Sequence, residues 1–273
     1  MDSRLKGKVV VVTGASGGIG SAIARKFAEE GSFVVAHYRS ALGEIRSLQK
    51  QFPETLAVKA DLTKEPQVKR LFTRSLTEFG RVDTLVANAG SWETADVPFE
   101  KMSLQQWRTT FDGVLITTFL SLREFFVLVS RQAQGNAVLI GSTAAIFGEA
   151  GHADYASGKA ALTYGLTRSL KNEIARIAPH TGDYCGGRIN CVCPGWTVVP
   201  RLASKLSNPE MIRKATATMA LPQLARPADI ANAVLFLSSD ALARHITGQV
   251  LTVAGGMEGR WLWQPAQVDP GIA

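Results

Sequence analysis

At 273 residues, with 46% hydrophobic and 19% charged side chains, the chain suits one large domain with a sizeable core and is too apolar to be disordered. Its net charge of +7 can attract acidic partners, yet no basic stripe interleaved with aromatics points to nucleic acid. No apolar run looks long enough to span a membrane, and three cysteines supply no disulfide framework.

The N-terminal residues lead straight into an apolar run without a signal-peptide core, and a cytoplasmic location is expected. The run Lys8-Val9-Val10-Val11-Val12-Thr13 breaks into Gly14-Ala15-Ser16-Gly17-Gly18-Ile19-Gly20. A helical pattern follows, with Ile19, Ile23, Ala24 and Phe27 at apolar positions. Glycines at such a turn let the backbone approach a pyrophosphate, and the helix N-terminus adds N–H groups and a favourable dipole. The spacing is Gly-x-x-x-Gly-x-Gly, not the Gly-x-Gly-x-x-Gly of the best-known dinucleotide fingerprint, and a plain strand-to-helix turn is the competing account.

After the strand at 8–13, further strands are expected at 32–38, 56–60, 82–88, 136–142, 188–193 and 249–253. Helical patterns lie between them, near 18–30, 42–51, 65–79, 103–132, 154–177 and 227–238. This alternation predicts an α/β fold, a parallel sheet of about seven strands covered by helices on both faces. Residues 1–257 form a single domain in this scheme. The tail, 258–273, carries Trp261 and Trp263 and is expected to pack on the active-site rim or a neighbouring subunit. The stretch 178–187 looks like an inserted polar loop, and Ser207-Asn208-Pro209-Glu210 like a capped helix start.

Chemistry gathers around one strand and the helix after it. Ala137-Val138-Leu139-Ile140 reads as a buried strand that delivers Ser142 at its C-terminal end, where open α/β sheets bind ligands. Tyr155 and Lys159, four residues apart on a helix, share a face, so an ammonium can lie beside a phenol and favour its ionised form. A hydroxyl beside that phenol can hold a carbonyl oxygen while the phenol gives or takes a proton. Cys191 and Cys193 alternate along a strand and are expected to be buried on one face; no Cys/His spacing suggests zinc. His152 is either a substrate contact or a solvated loop side chain.

With Thr13-Gly14-x-x-x-Gly18-x-Gly20, Asp61, Asn88-Ala89-Gly90, Ser142, Tyr155, Lys159, Pro194-Gly195, Arg226-Pro227-x-Asp229 and Gly255-Gly256-Met257 in this order, the chain resembles the short-chain dehydrogenase/reductase family from Leu5 to Met257. Within it, the chain is similar to the 3-oxoacyl-acyl carrier protein reductases. The resemblance implies a Rossmann-like, doubly wound sheet and an NADP(H)-dependent oxidoreductase with Ser142, Tyr155 and Lys159 as catalytic residues. Ser142 would hold the substrate oxygen and Tyr155 would protonate it. Lys159 would lower the Tyr155 pKa and hold the nicotinamide ribose.

Gly14, Ser16, Gly18, Ile19 and Gly20 would cradle the pyrophosphate, Asp61 and Leu62 border the adenine, and Asn88, Ala89 and Gly90 line the ribose and nicotinamide side. Pro194, Gly195 and Thr197 would shape the nicotinamide pocket. Tyr38 stands where NAD-preferring relatives carry Asp, and Arg39 with Ser40 suits a 2′-phosphate instead. The substrate implied is a small carbonyl or alcohol, either a 3-oxoacyl thioester or another apolar ketone, with Trp92, Phe147, Trp196, Leu202, Met211 and Met219 as candidate pocket walls. Arg131 and Arg176 match loosely the basic helix ends of acyl-carrier-protein reductases. A homotetramer, or a dimer, is expected.

Three departures stand out. Val114 occupies the position of a catalytic Asn, so either a proton relay is rebuilt from neighbours such as Thr110 or Asp112, or proton resupply is slower. Thr197 is displaced from the usual Thr position, and Ala254 replaces an Asp. Two other functions compete: a sugar or polyol dehydrogenase, suggested by His37-Tyr38-Arg39-Ser40, and a non-catalytic NADP-binding regulator, encouraged only by Val114.

Overall fold

In the computed structural model, residues 2–203, 207–260 and 267 are described. Along β1 (Val9–Val12) successive side chains turn to opposite faces of the sheet, and both faces are dry. Val9 and Val11 enter one core, Val10 and Val12 the other. A strand buried on both sides reads as an unbroken apolar run, so its faces cannot be told apart by polarity.

The other strands are β2 (Phe33–Tyr38), β3 (Leu56–Lys59), β4 (Thr84–Ala87), β5 (Asn136–Ile140), β6 (Arg188–Pro194) and β7 (Val250–Val253). All pairings are parallel, in the order β3-β2-β1-β4-β5-β6-β7. The helices are α1 (Gly18–Glu29), α2 (Ile45–Gln51), α3 (Glu65–Phe79), α4 (Leu104–Phe111), α5 (Thr117–Gln132), α6 (Ala144–Phe147), α7 (Ala153–Ala160), α8 (Thr167–Ile177), α9 (Pro209–Thr216) and α10 (Pro227–Ser238). Among them α1, α2 and α10 cover one face, while α3, α5 and α8 cover the other. The fold is thus the expected Rossmann-like sheet, with strand ends shifted by a residue or two.

Strand order reverses direction between β1 and β4, which opens a crevice at their carboxyl ends. This is where the glycine turn and Asn88 emerge. The helix expected from residue 42 starts only at Ile45 because Gly43 takes a positive φ of 50°, and a side chain there would overlap the Ser16 carbonyl. Asn208 caps α9 as its sequence suggested, accepting from the Glu210 N–H at 2.9 Å. The loop at 178–187 is fastened to the sheet, since the Tyr184 hydroxyl accepts from the Gly135 N–H at 2.9 Å.

The two long predicted helices each contain a π-turn, Asp112–Ile116 between α4 and α5 and Ala161–Leu166 between α7 and α8. Such a turn inserts a residue without changing the apolar pattern enough to be read from it. Against the expectation of no membrane-length segment, the combined helix Leu104–Gln132 is long and apolar enough to cross a bilayer by length and composition. Over half of its most apolar window is buried within the protein, which accounts for that composition here.

Behind the end of β5, Cys191 and Cys193 are fully buried with their sulfurs 3.9 Å apart. They leave room only for glycine at position 141: a Cβ would lie 2.5 Å from the Cys193 Sγ and 2.7 Å from the Thr163 Oγ1. Overpacking of this kind costs about 1–3 kcal/mol. Gly141→Ala is therefore expected to lower stability by that amount in urea unfolding and to reduce turnover, because Gly141 precedes Ser142. Wild-type stability in this variant would show that the sulfur layer yields.

Candidate active site

At the crevice the turn after β1 is tied to the turn after β4 by two side chains. The buried Thr13 hydroxyl donates to the Val86 carbonyl and accepts from the N–H groups of Asn88 and Ala89, at 2.9 and 3.0 Å. The Asn88 amide donates to the carbonyls of Thr13 and Gly14, at 2.9 and 3.2 Å. Asn88 was expected to line the ribose. It does line the cavity, but its amide hydrogens are committed to holding the glycine turn shut.

Gly14 and Gly18 have positive φ, and a side chain on Gly20 would overlap the Gly14 carbonyl oxygen. The glycines thus make a cradle at the N-terminus of α1 that any Cβ at position 20 would fill, which fits the pyrophosphate of a nicotinamide dinucleotide. Asp61 accepts from the Thr63 N–H and hydroxyl. Desolvation pushes its carboxyl up, but those bonds, with Lys64 and Arg39 beyond, outweigh it and hold the group below the usual carboxylate range. It therefore stays ionised beside Arg39 at the adenosine end.

One cavity of about 620 Å³ brings together every side chain that the sequence singled out for cofactor binding or catalysis. Ser142 arrives at the end of β5, its hydroxyl accepting from the Ala144 N–H at 3.1 Å. Tyr155 and Lys159 come from α7 and are both buried. The Lys159 Nζ donates to the Ile140 carbonyl at 2.7 Å and lies 5.8 Å from the Tyr155 ring centre.

Here the electrostatics differ from expectation. Burial pushes the Tyr155 phenol up to about 12, against the pull of its hydrogen bond with Ser142, and Lys159 does not reverse this. Burial likewise pushes the Lys159 ammonium down to about 8, against the raising influence of Cys191 and Cys193. Desolvation dominates because both groups sit on a dry helix face. At neutral pH the arrangement is a protonated phenol beside a predominantly charged ammonium, suited to giving a proton to a carbonyl oxygen.

Val114 is fully buried in the first π-turn, close against Gly158 of α7. Neither proposed substitute for the missing Asn lines the cavity. Thr110 donates to the buried Asp154 at 2.6 Å, and Asp112 is exposed. Thr117, which sequence reasoning missed, does line the cavity; its hydroxyl donates to the Gly113 carbonyl at 3.0 Å.

On the substrate side Trp92 stacks on Tyr155 with ring centres 4.3 Å apart. The Arg201 guanidinium lies over the Trp92 ring, 3.9 Å from its centre, and donates to the Trp92 carbonyl at 2.7 Å. Trp196 and Leu202 line the same cavity. Phe147 and Met219 do not; they join Trp196, Ala254 and Met257 in a small separate core, and Met211 also lies off the cavity. Thr197 lines the cavity while its hydroxyl donates to the Gly195 carbonyl at 3.0 Å.

His152 is buried, not solvated, with Nε2 3.0 Å from the Asp96 carboxylate. Arg260 reaches the rim, bonded to the Gly148 carbonyl and paired with Glu149. Trp261 and Trp263 lie outside the described residues. Thr94, Glu149, Arg201 and Arg260 carried no sequence signal, because each reaches the site from a loop.

The family model described as enoyl-(acyl carrier protein) reductase matches residues 14–258. Among curated proteins the chain is similar to 3beta-hydroxysteroid dehydrogenase 1 of Eggerthella lenta, 35% identical over 93% of this chain and 94% of that protein. It is similar to L-fucose dehydrogenase of Mus musculus, 34% identical over 94% and 90%, and to acetoacetyl-CoA reductase of Acinetobacter, 34% identical over 92% and 97%. Among solved structures, a 7α-hydroxysteroid dehydrogenase complexed with NADH and 7-oxo glycochenodeoxycholic acid superimposes with a TM-score of 0.84, at 30% identity over 94% of this chain and 96% of that one.

The depressed Lys159 fixes a pH dependence. Its charged form is present below about 8 and is lost as pH rises through that value, whereas Tyr155 stays protonated to about 12. Carbonyl reduction is expected to be level from pH 6 to 7.5 and to fall above 8. Lys159→Met should remove that limb and lower kcat/KM at neutral pH about 100-fold or more, within the usual range for one acid–base group. A wild-type profile still level at pH 9.5 would show that the Lys charge is not needed.

Proposed function

The chain belongs to the short-chain dehydrogenase/reductase family, and on that premise we propose that it is an NADP(H)-dependent carbonyl reductase acting on a 3-oxoacyl thioester or another apolar ketone. The observation that carries this is the placement of Ser142, Tyr155 and Lys159 between the glycine cradle and a wall of Trp92, Trp196 and Leu202. When bound, the nicotinamide supplies a hydride to the carbonyl carbon, or accepts one in the reverse direction.

Everything else falls to the chain's own residues. Ser142 donates a hydrogen bond to the carbonyl oxygen and orients it. Tyr155 transfers its proton to that oxygen, and the ketone becomes a secondary alcohol. Lys159, charged at neutral pH, stabilises the phenolate left behind. The stacked rings of Trp92 and Tyr155 give the reacting carbonyl an apolar wall.

NADP(H) is favoured over NAD(H) by the absence of a carboxylate at the end of β2, where Arg39 and Ser40 line the cavity. The exposed Phe99, Leu104, Phe119 and Val127 around α4 and α5 support a homotetramer or dimer built on those helices. A sugar or polyol dehydrogenase remains the second reading, favoured by the polar rim of Thr94, Glu149 and His152 and by the L-fucose dehydrogenase relative.

The deciding assay is NADPH oxidation with acetoacetyl-coenzyme A, beside NADP⁺ reduction with sugars and a Tyr155→Phe control. Thioester-dependent oxidation that falls at least about 100-fold in the control supports the reductase. Turnover only with sugars overturns it in favour of the second reading, and NADPH binding without turnover on any carbonyl overturns both. Arg39→Ala is expected to raise the NADPH KM about tenfold or more, the worth of a charged hydrogen bond, and to leave the NADH KM unchanged. An unchanged NADPH KM would make Arg39 a solvated strand-end charge.

A further inference from the structure

His37 sits in the adenosine half of the cavity, yet it is 3% exposed and carries two hydrogen bonds that settle its chemistry. Its Nε2 lies 2.9 Å from the Ala60 carbonyl, which can only accept, so Nε2 bears the proton. Its Nδ1 is then bare and accepts from the Gly14 N–H at 3.0 Å. The backbone of the same residue accepts from the Ala15 N–H at 2.8 Å. One residue of β2 thus grips two successive N–H groups of the glycine turn, and only a neutral ring can hold the first.

We propose that His37 is a positioning residue for the dinucleotide, and that protonation of its imidazole loosens the turn and with it the enzyme's hold on NADP(H). The inference rests on the cofactor reading above. A protonated ring would point an N–H at the Gly14 N–H across 3.0 Å. The Gly14 peptide has little room to retreat, because Asn88 and Ala89 lie close on its Cα side and the Asn88 amide holds its carbonyl at 3.2 Å. Any displacement therefore passes into the first turn of α1, the part of the cradle nearest a pyrophosphate.

The surroundings set the direction. Burial holds the imidazole below its ordinary value, against the Ala60 carbonyl and the Asp61 carboxylate. Asp61 at the end of β3 is the charged group facing the ring. Arg39, next along β2, faces Asp61 in turn, the β1 turn offers only backbone, and the first turn of α1 has no acidic residue. The neutral form is thus complete above about pH 6.5 and is lost as pH falls through the depressed value.

The test compares NADPH dissociation constants of the wild type, His37→Asn and His37→Phe at pH 8 and pH 5. Asn can present its amide oxygen to the Gly14 N–H but does not titrate; Phe offers no acceptor. The ratio of wild-type to His37→Asn constants should be near one at pH 8 and rise several-fold at pH 5, while the titration of the cofactor's own 2′-phosphate cancels in that ratio. His37→Phe should bind weakly at both pH values. By reciprocity, NADPH should lower the pKa read from the His37 ring resonances of the wild type by about one unit, a measurement that needs no variant to fold. A constant ratio, or a resonance indifferent to NADPH, overturns the proposal alone. A wild type that binds no nicotinamide dinucleotide at either pH overturns the cofactor reading and this proposal with it.

Discussion

Everything the site does depends on how β1 and β4 part company. Two parallel strands that run side by side and then diverge leave their last backbone groups without ladder partners, and in a buried crevice those groups need new ones. Thr13 and Asn88 provide them, the hydroxyl for the β4 turn and the amide for the β1 turn. Each strand end is held by a side chain from the other. The gap between them stays open at a fixed width, and the glycine turn is rigid without being filled.

The catalytic half obeys a different constraint, the cost of drying a charge. Tyr155 and Lys159 lie on a helix face that packs against β5 and the first π-turn, where a hydroxyl prefers to stay neutral and an ammonium loses part of its preference for the proton. Proximity of opposite tendencies would suggest an ionised phenol. Burial instead leaves a neutral phenol and a marginally held ammonium. Lys159 survives in this position because the Ile140 carbonyl, at the end of β5, accepts a hydrogen bond from its ammonium.

Much of this was legible in the sequence, for identifiable reasons. Runs such as Val9–Val12 and Ala137–Ile140 reveal strands because they are short, apolar on both faces and bounded by glycine turns. The glycines and the Tyr155–Lys159 interval survive as fixed spacings because both elements are continuous in sequence. The π-turns were not legible, since one inserted residue leaves the apolar stripe nearly intact. Asn88 was read only as a cavity residue; that its amide also ties down the glycine turn was not legible, because spacing reports where a side chain is and not which way its amide points. His37 looked like one more residue of a strand; its role needs Gly14 and Ala60, far apart in sequence, to be seen together.

The wall opposite the cofactor cradle follows from the same logic of distant partners. Tyr155 comes from α7, Trp92 from the loop after β4 and Arg201 from the 3₁₀ turn Pro200–Leu202, yet Trp92 stacks on Tyr155 and the Arg201 guanidinium lies over Trp92. That guanidinium keeps its charge while giving up part of its solvent, a loss offset by the indole ring and the Trp92 carbonyl. One indole ring therefore joins the helix that carries Tyr155 to the turn that carries Arg201, a contact that no single stretch of sequence reveals.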